Sequence, residues 1–258
     1  MNRHTPPPTI RAPRVLAIVL PLLGTVTLGS ACTAGDAGTD AVSSTSSPTT
    51  ATTATATPSQ TDQPSASPGA PTTIPTSAFV ELPAELRKSP RRTTPVAEAL
   101  PKLCGNEFGT GGRQVTASAA MTVTYKKAGE PDTNVPQGMI HQTIFTFDGD
   151  GAVAYLQRLR DAVKACPSYD QGDNPVAVKS QVLPGVGDEA LLVSRAWAET
   201  SLNGERTGGD ASSQIAVARV DGVVTVFDDQ GWEGSSGNPA ILDRTVRDGV
   251  KSIDAWQR

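Results

Sequence analysis

Residues 78–258 are predicted to form a single α+β domain in which two amphipathic helices cover an antiparallel sheet. Three observations predict this class. Segments with the two-residue alternation of strands follow one another across short turns, which favours antiparallel pairing. Two longer segments repeat apolar residues every three or four positions, as amphipathic helices do. The predicted order is helix, strand, strand, helix, four strands and helix, and we expect both long helices to lie on one face of the sheet.

The first half of the domain opens with a short helix and two strands. Residues 95–103 (PVAEALPKL) are typical of a short helix that ends at Cys104. Residues 115–125 place Val, Ala, Met and Tyr on one face and Thr and Ser on the other, as a half-buried strand does. Residues 138–147 are rich enough in β-branched and aromatic side chains to predict a second strand.

A long helix follows these two strands. Asp148 or Asp150 is a suitable N-cap residue for it. The apolar side chains then recur at helical spacing and form one stripe that closes at Cys166. The stripe consists of Ala152, Tyr155, Leu156, Leu159, Ala162, Val163 and Cys166. Cys166 is therefore expected to face the core.

The second half of the domain is rich in strands. Residues 176–183 and 189–197 predict two of them, and the polar, glycine-rich residues 202–212 predict a flexible loop. Asp221-Gly222 separates two valine-rich segments, which is a strong signal for a type I′ hairpin.

The domain ends in a second long helix. Asn238 and Pro239 supply an N-cap and an N1 proline. An amphipathic pattern follows and ends near Trp256. Its apolar positions are Ile241, Leu242, Val246, Val250 and Ile253.

Residues 1–31 have the composition of a secretory signal peptide. Residues 1–14 carry three arginines and no acidic residue, and residues 15–28 are an uncharged apolar run. That run is shorter than the ~20 residues that a helix needs to span a bilayer. Small residues then lead to Cys32 in the sequence LGSAC. This stretch resembles the lipobox of bacterial lipoproteins, which implies that Cys32 is diacylated and becomes the new N-terminus.

Residues 32–77 are predicted to be the lipidated Cys32 and a disordered stalk. Of the 45 residues from 33 to 77, 35 are Thr, Ser, Ala or Pro. Such a segment buries too little apolar surface to offset the entropy of ordering it. At a scale of ~5–6 Å × √n, the stalk spans about 35–40 Å. We therefore place the domain in the cell envelope, tethered to the outer face of the cell membrane.

Two cysteines remain when Cys32 is acylated, namely Cys104 and Cys166. In an exported protein, two such cysteines most simply form a disulfide with each other. Two free buried thiols are the alternative. We expect no metal site, because no CxxC spacing occurs and His141 is the one histidine beyond the signal peptide.

Charge and motifs exclude several classes of function. The net charge of the chain is −4, and it becomes −7 when the signal peptide and its three arginines are removed. This balance argues against nucleic acid as a partner. The GxSxG motif of serine hydrolases and the glycine-rich phosphate-binding loops are absent. We therefore expect no catalytic residues, no cofactor and no enzyme activity.

Two tryptophans are candidate ligand contacts. Trp232 lies in a Gly/Ser-rich loop (DDQGWEGSSG), where an aromatic side chain can meet a ligand. Trp197 ends a predicted strand and is the second candidate. Packing onto the sheet is the alternative for a loop tryptophan. His141 lies within a strand without a partner motif and is expected to be structural.

Three segments of the domain resemble one protein family. They are YLQRLRDAVKAC (155–166), LPGVGDEALLV (183–193) and VARVDGVVTVF (217–227). Together with Cys104 they resemble the PknH-like extracellular sensor domains of actinobacterial surface lipoproteins, over about residues 80–258. The resemblance implies an antiparallel sheet with packed helices and a central cleft for an unidentified ligand.

The sequence thus predicts a membrane-anchored extracytoplasmic lipoprotein with a non-catalytic sensor-like or ligand-binding domain. Its partners are the membrane, through the lipid anchor, and an unknown ligand or envelope protein. A lipid or glycolipid carrier is an alternative, which needs a sizeable apolar cavity between sheet and helices. Two further alternatives are a cell-wall enzyme, which needs a convergent polar cluster in a cleft, and a structural spacer.

Replacing Cys32 with Ala is expected to release the protein into the medium. Two acyl chains bury many CH₂ groups at ~0.8 kcal/mol each, whereas the variant has no acyl chain to hold it at the membrane. Detergent phase partitioning of the wild type and the variant measures this. A variant that still enters the detergent phase would show that Cys32 is not the anchor.

Overall fold

The computed structural model describes residues 70–105, 107–201 and 203–258. The predicted signal peptide (1–31), Cys32 and the linker as far as residue 69 lie outside these described residues. From residue 70 onwards the chain belongs to one compact unit, built on a nine-stranded antiparallel sheet. The predicted α+β class is confirmed.

The sheet is formed by long central strands and short edge strands. They are β1 (Arg87–Lys88), β2 (Arg92–Thr94), β3 (Val115–Lys126), β4 (Gly138–Phe147), β5 (Ser168–Gln171), β6 (Asn174–Val182), β7 (Glu189–Thr200), β8 (Arg206–Val220) and β9 (Val223–Gly231). Their order is β1-β3-β4-β9-β8-β7-β6-β5, and β2 also pairs with β3.

Within the described residues, three α-helices accompany the sheet: α1 (Val96–Ala99), α2 (Gly151–Lys164) and α3 (Pro239–Gln257). Asp150 is the N-cap residue of α2, but its carboxylate accepts a hydrogen bond from Gln114 rather than from the helix. Asn238 caps α3 as predicted, accepting from the Ile241 N–H at 3.2 Å. No helix in the described part of the chain is long and apolar enough to cross a membrane.

Several elements differ from the sequence predictions. Residues 206–212, predicted as loop, continue β8 and pair with β7. The predicted helix 95–103 is a single turn, α1, and Pro101 lies just beyond its end, where a proline cannot continue a helix. The edge strands β1, β2 and β5 are two to four residues long, too short to show an alternating pattern.

The two long helices lie on opposite faces of the sheet, so the expectation that both cover one face was wrong. Along β8, Ile215 and Val217 join the core beneath α2, whereas Ala216 and Ala218 join the core beneath α3. Successive side chains of a strand point to opposite faces, so this alternation identifies the two faces. The central strands are consequently buried on both sides.

The α2 face is closely packed with aromatic rings. Phe145, Phe147 and Tyr155 have ring centroids 5.6–6.1 Å apart. A disulfide joins Cys104 to Cys166 just past the end of α2. It closes a loop of 62 residues, for which the chain-entropy model gives about 4 kcal/mol. The bond holds the segment after α1 beside the end of α2.

Residues 70–77, the described end of the predicted stalk, contact the domain. The Pro71 carbonyl accepts hydrogen bonds from the hydroxyls of Thr116 and Thr146, both at 2.9 Å. Ile74 packs against the apolar cluster that contains Ile253 of α3. The packed chain therefore begins ahead of residue 78.

A buried carboxylate fixes the start of α3. Asp229, at the end of β9, is 1% exposed. Its oxygens accept hydrogen bonds from the Tyr125 hydroxyl at 3.0 Å and from the Asn238 N–H at 2.5 Å. Burial raises the pKa of Asp229 from 3.8 to about 6, although both hydrogen bonds oppose the shift.

Asp229→Asn is expected to flatten the pH dependence of stability between pH 4 and 7. The raised pKa means that the folded state binds the proton more tightly than the unfolded chain does. The contribution of Asp229 to the free energy of unfolding is therefore complete below pH ~4 and is lost as pH rises to about 6, by up to ~3 kcal/mol. Asparagine keeps an acceptor for Asn238 and does not titrate. Urea unfolding at several pH values gives the difference in free energy of unfolding between the wild type and the variant. If this difference in free energy of unfolding does not change with pH, the pKa of Asp229 is not raised in the folded protein.

Candidate ligand-binding cleft

The α2 face of the sheet changes from apolar to polar at the same level on three neighbouring strands. On β7, Leu191 and Val193 pack under α2, and Arg195 and Trp197 follow beyond it. On β9, Val224 and Val226 are followed by Asp228 and Gln230. On β8, Ile215 lies beneath the helix and Ser213 beyond it. The polar ends of these strands form the floor of a cleft.

The cleft has a volume of about 840 Å³, within the ~300–1,000 Å³ range of small-ligand sites. Four parts of the chain wall the floor. They are α1 and the segment after it (Glu98, Leu100, Pro101, Lys102, Leu103), the β5–β6 hairpin (Tyr169, Asp170, Gln171, Asn174), the end of β7 with the β7–β8 connection (Thr200, Ser201, Gly204) and the end of β9 with the turn after it (Gly231, Glu233, Gly234, Ser235). The disulfide positions the first wall against the second.

An ion pair between Arg195 and Asp228 lies at the floor of the cleft. The Arg195 Nη2 is 2.5 Å from the Asp228 Oδ1, and the Arg195 Nε donates to the Ser213 hydroxyl at 2.8 Å. Asp228 is 1% exposed and Arg195 8%. The other Asp228 oxygen accepts from the Gln230 amide at 2.7 Å. The network therefore fixes the orientation of an arginine, a serine and a glutamine side chain.

Tyr169 stands on the wall above this network. Its ring is half-buried and packs against the core beneath α2. Burial raises the pKa of the Tyr169 hydroxyl, and the nearby Arg195 opposes that shift. The phenol therefore stays protonated at neutral pH and is able to donate a hydrogen bond.

His141 extends the polar row but does not line the cleft. It pairs with Asp228 in the β4–β9 register, and its Nδ1 lies 2.7 Å from the Thr122 hydroxyl. Burial lowers the pKa of His141, while Asp228 opposes that shift. The ring is therefore neutral at pH 7.

The structure separates the two candidate tryptophans. Trp197, half-buried on β7, lines the cleft. Trp232 lies in a short turn beside the cleft, and only its neighbours Gly231 and Glu233 are among the lining residues. The buried Trp232 indole N–H has no hydrogen-bond partner among the described residues.

Charge is distributed unevenly over the cleft. Three carboxylates on its walls, Glu98, Asp170 and Glu233, are exposed, as is the Lys102 ammonium. The remaining charges, Arg195 and Asp228, neutralise each other at the buried floor. The cleft therefore has four acidic groups against two basic ones, and its deepest part carries no net charge.

Among the residues that line the cleft, the sequence singled out Trp197 as a candidate ligand contact, which stays a prediction. It did not single out Arg195, Asp228, Ser213 or Gln230. A signal existed in the alternation of β7, because Arg195 shares its face with the buried Leu191 and Val193. A charged residue on an apolar strand face requires a partner. Its partner lies on β9, 33 residues away, and no local pattern gives that distance.

No protein-family model and no curated protein matches the sequence. Among solved structures, the chain is similar to the extracellular domain of PknH from Mycobacterium tuberculosis. The two share 14% sequence identity, the match covers 67% of this chain and 86% of that one, and the TM-score is 0.44.

Arg195→Met is expected to destabilise the domain by ~3–5 kcal/mol, because it leaves Asp228 buried without its counter-charge. The double variant Arg195→Met, Asp228→Leu is expected to recover most of that loss, since a buried ion pair contributes little net stability over apolar residues of similar size. Urea unfolding of the wild type and both variants measures this. If the free energy of unfolding of the double variant is as low as that of the single variant, the ion pair stabilises the whole domain. Its role is then not confined to the cleft.

Proposed function

We propose that this protein is a lipid-anchored extracytoplasmic protein whose α+β domain binds a ligand in the cleft without catalysing a reaction. The observation that carries the proposal is the buried Arg195–Asp228 network at the cleft floor. A buried ion pair is weak evidence for a contribution to stability. Polar groups held in fixed positions within a concave site are instead typical of ligand recognition.

The anchoring half of the proposal is supported by the N-terminal sequence. An arginine-bearing start, a short apolar run and the LGSAC stretch precede a linker rich in Thr, Ser, Ala and Pro. Such a linker gives a tethered domain reach from the membrane surface. The partners in this proposal are the membrane and a ligand or protein of the envelope.

The packing of the sheet favours this function over a lipid carrier. A carrier needs apolar space between a helix and the sheet, but Phe145, Phe147 and Tyr155 fill that layer beneath α2. On the other face, Gly249 of α3 lies so close to the sheet that a Cβ there would be 2.5 Å from the Phe227 ring. Both helices thus lie directly on side chains that already fill the interior.

The cleft network also favours binding over catalysis. Asp228 engages one oxygen with Arg195 and the other with Gln230. A carboxylate held in this way is poorly placed to serve as a general base, which must reach a substrate proton. The His141 imidazole and the Asp229 carboxyl, whose pKa burial raises to about 6, both lie outside the cleft lining.

Native mass spectrometry of the full chain, purified from its own envelope, tests the function. We expect a copurifying polar molecule or partner protein that is lost when Trp197 and Gln230 are both replaced with Ala. Trp256→Ala is the matched control, because Trp256 packs at the α3 face, away from the cleft. Copurified lipid in all three proteins would favour the carrier. If no copurifying species is lost in the cleft variant, the structural spacer is the function that remains.

A further inference from the structure

The floor of the cleft presents hydrogen-bonding groups of both kinds. Arg195 supplies donors, Gln230 supplies an amide with donors and an acceptor, and the Tyr169 hydroxyl donates or accepts. Asp228 orients two of them from beneath, through bonds of 2.5 Å and 2.7 Å. These planar groups are fixed before a ligand arrives, which lowers the entropy lost on binding.

An aromatic surface lies next to these groups. Trp197 follows Arg195 by two positions on β7, so both side chains leave the same face of the strand. The indole is half-buried and lines the cleft. An aromatic ring beside fixed polar groups suits a ligand that has an apolar face and polar edges.

The charges on the walls and the floor of the cleft further restrict the chemical class of the ligand. Arg195 is neutralised by Asp228, and the exposed carboxylates of Glu98, Asp170 and Glu233 outnumber Lys102 on the walls. Phosphate groups and anionic lipid headgroups are therefore repelled from the entrance. The same charges attract cations to the walls. Solvent screens these exposed charges for ions of either sign, and the floor has no net charge to hold an ion.

We propose that the cleft binds a neutral carbohydrate, a short oligosaccharide or the end of a glycan chain. This inference rests on the proposed ligand-binding function and names its ligand class. The C–H face of a sugar ring stacks on the Trp197 indole. The ring hydroxyls, each both donor and acceptor, pair with Arg195, Gln230 and Tyr169. A volume of about 840 Å³ accommodates more than one sugar ring.

A glycan microarray probed with the full chain, followed by calorimetric titration of the strongest neutral oligosaccharide, tests the proposal. We expect Trp197→Ala to weaken binding about tenfold or more, as truncation of an aromatic anchor does. Gln230→Ala is expected to weaken it as well. Trp256→Ala is the matched control and should bind as the wild type does. Thermal unfolding verifies that each variant is folded.

The same titration with spermine and with inorganic phosphate separates the ligand classes. Binding of spermine or phosphate, lost in Trp197→Ala while no neutral glycan binds, would overturn the carbohydrate assignment and leave the ligand-binding function intact. Binding of a glycan that Trp197→Ala and Gln230→Ala leave unchanged would place the sugar outside the cleft. Failure of every probe, together with no copurifying species, would overturn both proposals.

Discussion

The fold is constrained by a difference in length between its helices and its strands. β7 and β8 contain 12 and 15 residues, which extend about 40–50 Å at ~3.4 Å per residue. α2 contains 14 residues, about 21 Å at 1.5 Å per residue. One helix on a face is therefore too short to cover the strands beneath it. The covered part of the sheet becomes apolar core, and the part beyond α2 borders the cleft.

That constraint explains why a polar network occupies the sheet face itself. Beyond the end of α2, Arg195, Ser213, Asp228 and Gln230 satisfy one another. Because they stand on paired strands, the main-chain ladder holds them more rigidly than a loop would, and rigid elements position binding groups more precisely. Connections between elements and the β5–β6 hairpin provide the walls, and the Cys104–Cys166 bond fastens one of those walls to the end of α2.

Two adjacent carboxylates show how strand alternation separates roles. Asp228 faces the cleft, is paired with Arg195 and belongs to the polar network of the cleft floor. Asp229 faces the opposite side, accepts hydrogen bonds from Tyr125 and the start of α3, and has a pKa raised by burial. Neighbours in sequence thus contribute to the proposed ligand site and to the attachment of α3, because their side chains lie on opposite faces of the sheet.

The sequence by itself determined the features that depend on neighbouring residues. The alternation of β3, the strand-forming composition of β4, the apolar stripe of α2, the Asp221-Gly222 turn and the Asn238 cap were all predictable, because each depends on neighbouring residues. The lipobox-like stretch is likewise a local pattern. Only the tertiary structure placed the helices on opposite faces and brought Arg195 to Asp228 across 33 residues. The physical reason is that strand order and helix placement depend on contacts between distant segments, which periodicity within one segment does not encode.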